Sequence, residues 1–158
     1  MTKFQKLSLF LLRISTGWLM LYAGLTKLLN PQWSAAFYLK DAKTFGSFFQ
    51  WFMRPEILPI TNWLNEWGLT ILGTSLILGI FVRLTSIYGI ALMLLYYLPI
   101  LDFPYPDAHS FIIDDHIIYA LILLFFAAAR AGRVWGLENW CARFPICSKF
   151  PRLRNWLG

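Results

Sequence analysis

LSLFLLRISTGWLMLYAGLTKLL, residues 7–29, is the stretch that decides the fold. About 20 apolar residues in a helix are enough to cross a hydrocarbon core of about 30 Å. The only charged residues in this stretch are Arg13 and Lys27. It is too long for the apolar region of a secretory signal peptide. The stretch therefore predicts a transmembrane helix that stays in place as a signal anchor.

Three further apolar blocks follow, at about residues 62–82, 84–101 and 112–129. Apolar residues make up 58% of the 158-residue chain and charged residues only 14%, which excludes an ordinary soluble globular domain. We therefore predict an all-α membrane protein, a four-transmembrane-helix bundle that forms a single membrane domain over residues 1–158.

Lysine and arginine are distributed unequally between the two sides of this predicted bundle. The side that holds both termini carries Lys3, Lys6, Arg83, Arg130, Arg133, Arg143, Lys149, Arg152 and Arg154. The opposite side carries Lys40, Lys43 and Arg54. Because basic residues concentrate on the cytoplasmic side, both termini are predicted to be cytoplasmic. The formal charge of +6 then indicates attraction to anionic membrane lipids, with no nucleic acid as a partner.

Two segments outside the spans have distinct compositions. Residues 30–61 are rich in aromatic side chains, and the stretch TFGSFFQWFM, residues 44–53, is too apolar for a solvated loop. We expect an outer interfacial segment there, lying beside the bundle. Residues 130–158 form a basic inner tail with tryptophans, as is typical of a segment at the cytoplasmic membrane surface.

Ionisable residues within the predicted spans are the main candidates for chemistry, because they usually face the bundle interior with a partner. In the first span Arg13, Gly17, Met20, Gly24 and Lys27 recur every three or four residues, so they share one helical face. We expect this face to look inward. The glycines on it would let a neighbouring helix approach closely.

A polar cluster is predicted at the outer ends of the helices. Asn62, Glu66, Thr70 and Gly73 form a stripe on the second span, and Glu66 falls at the depth of Lys27. Asp114, Asp115 and His116 start the fourth span at that depth, and Tyr119 follows Asp115 by one turn.

Two interpretations of this cluster stay open. In the functional one, it binds the polar head of a small amphipathic molecule such as a quinone. Glu66 and Asp115 relay protons, and His116 acts catalytically with them and attracts the quinone oxygens. Lys27 and Tyr119 bind the quinone or an anion. Arg13, deeper in the first span, is a further candidate for binding the quinone or an anion. In the structural one, the charges form buried ion pairs, Lys27 with Glu66 above all, that fix helix register.

Metal and haem binding are not expected. A bis-histidine haem site needs two imidazoles at one depth, and the only histidines are His109 and His116. Cys141 and Cys147 lie six residues apart and do not form a C-x-x-C motif, so we expect free thiols.

Three runs resemble the DoxX/DoxD family of four-helix membrane proteins. They are LLRISTGWLMLYAGLTKLLNP at residues 11–31, LTILGTSLILGIFVRL at 69–84 and IIDDHIIYALILLFFAAARAGRVWGLENW at 112–140. The aromatic insert after Asn30 and Pro31 is most similar to the DoxD-like branch, the membrane small subunit of thiosulfate:quinone oxidoreductase. The family-like positions are Arg13, Gly17, Gly24, Lys27, Gly79, Arg83, His116, Gly132, Gly136 and Leu137.

The resemblance implies a quinone-linked subunit in the inner (plasma) membrane of a prokaryotic cell. Electrons from thiosulfate would reach membrane quinone with tetrathionate as the product, and a second protein subunit would take part. The alternative is a non-catalytic membrane anchor or assembly partner that docks other subunits or lipids. In either case a homo-oligomer is compatible with the sequence.

Overall fold

A computed structural model describes residues 1–141, without the side chains of Asn139 and Cys141. This part of the chain is helical and contains no strand. In chain order its elements are α1 (Lys3–Leu28), α2 (Ala36–Leu39), α3 (Gly46–Phe52), α4 (Leu58–Leu78), α5 (Val82–Ile100), α6 (Asp115–Ala129), the 3-10 turn Ala131–Arg133 and α7 (Glu138–Cys141). Most of the predicted basic tail and Cys147 lie outside the described residues.

The long helices α1, α4, α5 and α6 correspond to the four apolar blocks, with shifted ends. The second block starts earlier than predicted, at Leu58, because Pro59 fits the first turn of a helix. It ends at Leu78, since Gly79 has a φ of 67° and stops the helix in the left-handed region. The fourth begins at Asp115, three residues later than predicted, because the carboxylate of Asp114 caps the helix by accepting from the Ile117 N–H at 3.1 Å.

Consecutive long helices pack against each other in antiparallel fashion. Between α1 and α4, Gly17 lies against Leu76, and Gly24 lies against Thr70. Gly89 of α5 contacts Leu72 of α4 on one side and α6 on the other. Small residues let the helix backbones approach closely, which holds such bundles together where water cannot drive packing.

By length and composition, α1 and α5 are each able to cross a membrane. The helix α6 is apolar but has only 15 residues. The inward stripe predicted on α1 is confirmed at four of its five positions: Arg13, Gly17, Met20 and Gly24 are buried. Lys27 is half-buried.

The outer segment between α1 and α4 folds back onto the bundle. Its own small core contains Ala35, Leu39 and Phe49, which pack with Leu95 and Leu98 of α5. The segment is attached by backbone groups as well, since the Lys43 N–H donates to the Pro99 carbonyl at 2.9 Å. Aromatic side chains of this segment thus form a wall across the end of the bundle that contains Lys27. We name this end of the bundle the Lys27 end.

The opposite end is closed by the chain that follows α6, and we name it the Arg13 end. Arg13 is fully buried, and its Nη1 donates to the Ala131 carbonyl at 2.7 Å. Its Nη2 lies 3.5 Å from the Trp135 carbonyl. Glu138, also buried, accepts from Arg133 Nε at 2.8 Å, and its backbone N–H donates to the Gly79 carbonyl. These contacts fasten residues 131–138 onto α1 and α4.

Candidate functional site: an aromatic cavity at the Lys27 end

A cavity of about 570 Å³ lies between the Lys27 end of the bundle and the outer segment. This volume lies within the range of small-molecule sites, about 300–1,000 Å³. Its walls are mainly apolar. The aromatic residues that line it are Trp33, Phe37, Tyr38, Phe49, Phe52, Tyr88 and Tyr96.

Hydrogen bonds hold the tyrosines of the wall in place. Tyr96 donates its hydroxyl to Asn65 Oδ1 at 2.6 Å, and Asn65 Nδ2 donates to the Thr61 carbonyl at 2.7 Å. Tyr88 donates to the Leu64 carbonyl at 2.7 Å, and Tyr38 donates to the Tyr96 carbonyl at 2.5 Å. The hydroxyl hydrogens of the three tyrosines are thus already used, and their oxygens can only accept from a ligand, whereas Asn65 keeps one N–H group.

Lys27, on the last turn of α1, lines the cavity as a half-buried cation. Its Nζ donates to the Ala23 carbonyl at 3.1 Å and lies 5.6 Å from the centre of the Trp33 ring, a cation–π distance. In the described part of the chain it forms no ion pair with Glu66, contrary to the structural interpretation above. Two of its three N–H groups remain available to a ligand.

His116, in the first turn of α6, lines the cavity beside Tyr96, with 5.7 Å between the ring centres. Its Nδ1 lies 2.5 Å from Oδ2 of Asp114, which is buried. Because an ionised carboxylate only accepts, this contact assigns the hydrogen to Nδ1 and leaves Nε2 for a ligand. Nε2 accepts a hydrogen bond in neutral imidazole and donates one in imidazolium.

Tyr38 attaches the outer segment to Tyr96 of α5, through a hydrogen bond to its carbonyl and an edge-to-face contact with its ring. Burial raises the pKa of Tyr38 to about 12, and the negative charge of Asp114 contributes to the increase. The phenol is therefore protonated at neutral pH, as its hydrogen bond to the Tyr96 carbonyl requires.

The structure brings two of the six predicted site residues into the cavity, Lys27 and His116. The others do not line it. Glu66 is half-buried on α4, Asp115 is exposed, and Tyr119 is half-buried and packs against the main core. Arg13 lies at the opposite end of α1, held by carbonyl groups. The roles predicted for these four residues stay predictions.

Sequence reasoning placed Asp114 in the polar cluster without giving it a role, and it did not assign Asn65 or Tyr96 to the site. Asp114 has a recognisable signal, because Asp-x-His at the start of an apolar helix places a capping carboxylate next to an imidazole. Asn65 and Tyr96 have none, since their hydrogen bond joins positions 31 residues apart.

Together these features define a helical membrane protein with an aromatic internal cavity. Residues 8–100, more than half of the 158-residue chain, match the DoxX family, and the chain belongs to that family. The resemblance to DoxX is thus confirmed, while the DoxD-like branch stays a prediction. Comparison with curated proteins and with solved structures gave no match.

Proposed function

We propose that this DoxX-family chain is the membrane subunit of a quinone-linked oxidoreductase, and that its cavity binds the head group of a membrane quinone. One observation carries the proposal: Lys27 and His116 face one aromatic cavity, and no aspartate or glutamate occurs among its described lining residues. A quinone is a flat apolar ring with two carbonyl oxygens. It needs apolar walls and a few hydrogen-bond donors, which this cavity offers.

The hydrogen-bonding groups that remain available in the cavity favour a ligand that accepts hydrogen bonds. The hydroxyls of Tyr38, Tyr88 and Tyr96 already donate to protein atoms. Lys27 keeps two N–H groups, and His116 Nε2 adds a donor when the ring is an imidazolium. Because Lys27 is a cation and the described lining contains no carboxylate, the cavity also stabilises negative charge that develops on the ligand oxygens.

Reduction of a quinone to a quinol takes up two electrons and two protons. With thiosulfate as the donor, two thiosulfate ions would give one tetrathionate and the two electrons, and a second subunit would carry that reaction. Lys27 would stabilise charge on one quinone oxygen. His116, as imidazolium, would give the Nε2 proton to an oxygen, and Asp114 would hold the ring through Nδ1. Glu66 and Asp115 would bring protons from the outer surface, one for the second quinone oxygen and one to restore His116.

Replacing Lys27 by methionine is expected to weaken binding of decylubiquinone about tenfold or more, because a hydrogen bond from a charged donor is worth about 1.5–3 kcal/mol. The measurement is quinone binding to the protein purified in mild detergent with its accompanying subunits, followed by thiosulfate-dependent reduction of the same quinone.

The matched control is Lys43→Met, which removes an exposed lysine that pairs with Asp102 at 3.5 Å and does not line the cavity. We expect its affinity to stay within about twofold of the original chain. Equal affinity in the Lys27 and Lys43 variants would place the quinone elsewhere. If no preparation binds or reduces quinone, the alternative of a non-catalytic anchor is favoured, and the co-purifying proteins become the evidence of function.

The proposal includes the full membrane arrangement: four spans formed by α1, α4, α5 and α6, with both termini in the cytoplasm of a prokaryotic cell. It is supported by the antiparallel packing of α6 along α5, where Tyr96 contacts His116 and Gly89 contacts Leu123. The short α6 spans about 22 Å at 1.5 Å per residue, so adjoining residues would complete its crossing. In this arrangement the Lys27 end is the outer one.

Fusions of alkaline phosphatase test this topology, because the enzyme is active only outside the cytoplasm. Fusions after Lys43 and after Asp107 should be active, and a fusion after Arg83 should be inactive. An active fusion after Arg83, or an inactive one after Asp107, would contradict the four-span arrangement.

A further inference from the structure

The cavity opens on the outside of the bundle between α4 and α5. Leu64 of α4 and Ala91 of α5 both line it and are exposed, as are Phe37 and Tyr38 of the outer segment. A residue that faces the cavity and the exterior together marks the rim of an opening. The opening marked by Leu64 and Ala91 is lateral, because both residues lie within the length of their helices. Phe37 and Tyr38, in contrast, mark an opening at the outer segment.

A tyrosine side chain of α5 reaches across to α4 near this point. Tyr88 lies over Gly68, where an added Cβ would come within 2.0 Å of the Tyr88 hydroxyl oxygen. The same hydroxyl is fixed on the Leu64 carbonyl. The helices α4 and α5 pack against each other less extensively than α1 packs against α4 or α5 against α6. Leu64 and Ala91, one from each of these helices, line the cavity near Tyr88.

The polar groups and the inner edge of the opening lie at different depths. Lys27 is the second-last residue of α1, and His116 is the second residue of α6, so both sit near the ends of their helices. Ala91 lies nine residues before Ile100, the end of α5, which corresponds to about 14 Å along the helix. If α5 spans the bilayer, Ala91 lies near the middle of the hydrocarbon core, whereas Leu64, six residues after Leu58, lies nearer the outer end of the bundle.

We propose that this opening is a lateral portal for the apolar tail of the ligand. The head group lies between Lys27 and His116, and an isoprenoid or alkyl tail passes between Leu64 and Ala91 into the lipid. The inference rests on the proposed function and states where the tail of the membrane quinone leaves the cavity. Leu64 and Ala91, which border this path, have apolar side chains, so the passage of a hydrocarbon tail between them buries no polar side chain of either residue.

The test modifies the portal after the protein has folded. In a chain whose Cys141 and Cys147 are replaced by serine, Ala91→Cys is labelled with pyrene maleimide, and Ala128→Cys on the exposed face of α6 is the matched control. Binding of decylubiquinone is compared with binding of the same ring without a tail. The rate of labelling at each cysteine is also measured with and without each quinone.

Pyrene on residue 91 is expected to weaken binding of the decyl compound at least about tenfold and to leave the tail-less compound within about twofold. The decyl compound should slow labelling at residue 91 only, and the tail-less ring should not. Equal loss of both quinones, or no protection by the decyl compound, would overturn the portal while leaving quinone binding intact. If neither quinone binds the unlabelled protein, the proposed function fails and the portal fails with it.

Discussion

Replacing Arg13 by methionine is expected to lower the free energy of unfolding by about 3–5 kcal/mol, the cost of removing one partner from a buried charged network. Methionine fills part of the space but donates no hydrogen bond. The carbonyls of Ala131 and Trp135 would lose their partner, and the buried Glu138 would lose the electrostatic contribution of Arg13 and keep its pairing with Arg133. Residues 131–138 should then detach from the Arg13 end.

The control for this prediction is Lys6→Met, which removes an exposed cation from the same helix. Unfolding is followed in detergent by circular dichroism with increasing sodium dodecyl sulfate, and limited proteolysis reports on residues 131–138. The Lys6 variant should unfold like the original chain. If Arg13→Met were as stable as Lys6→Met, Arg13 would not hold this segment, and a role in binding would become the better interpretation.

The sequence predicts that the Arg13 side chain faces the bundle interior, but it does not predict the hydrogen-bond partners of that side chain. Spacings of three and four residues place it on the face with Gly17 and Gly24, and that face is buried. Its acceptor, the carbonyl of Ala131, lies 118 residues further along the chain. Every residue has a backbone carbonyl, so residue type does not reveal which carbonyl accepts from a buried arginine. Periodicity can indicate that an arginine is buried, but not which group accepts its hydrogen bonds.

Sequence reasoning predicted the depth along the helices at which Lys27 and His116 meet, but only some of the residues that surround them. Depth along the helices brings Lys27 and His116 together. Depth says nothing about rotation around each helix, and rotation decides that Asn65 lines the cavity while its neighbour Glu66 does not. At the start of α6 the capping geometry selects Asp114, whereas Asp115 points outward to an exposed position.

The outer segment illustrates a different limit of sequence reasoning. Its aromatic content correctly indicates that it does not extend freely into water, since Phe49 is buried and Leu39 packs with it in a small core. Composition could not show that this core rests on α5 and completes the cavity through Trp33 and Tyr38. That contact depends on long-range packing against Leu95 and Leu98.

Replacing Gly73 by alanine is expected to lower the free energy of unfolding by about 2–3 kcal/mol, through overpacking between α1 and α4. An added Cβ would lie 2.3 Å from the backbone N of Leu21 and 2.7 Å from the Gly17 carbonyl oxygen. Both are backbone atoms, which cannot turn away as a side chain can, so the helices must separate and lose contacts along their length.

The control is Gly46→Ala at the start of α3, where no heavy atom lies within 4 Å of the added Cβ. Alanine is a better helix former than glycine by up to about 1 kcal/mol, so this variant should be as stable as the original chain or slightly more so. Both substitutions add the same methyl group within a helix. Changes of opposite sign in the free energy of unfolding therefore separate the effect of packing from that of helix propensity. Denaturation of the two variants under identical detergent conditions measures the difference. A Gly73 variant as stable as the Gly46 variant would contradict the close approach of α1 and α4, and with it the alignment that brings Lys27 to the end of the bundle where His116 lies.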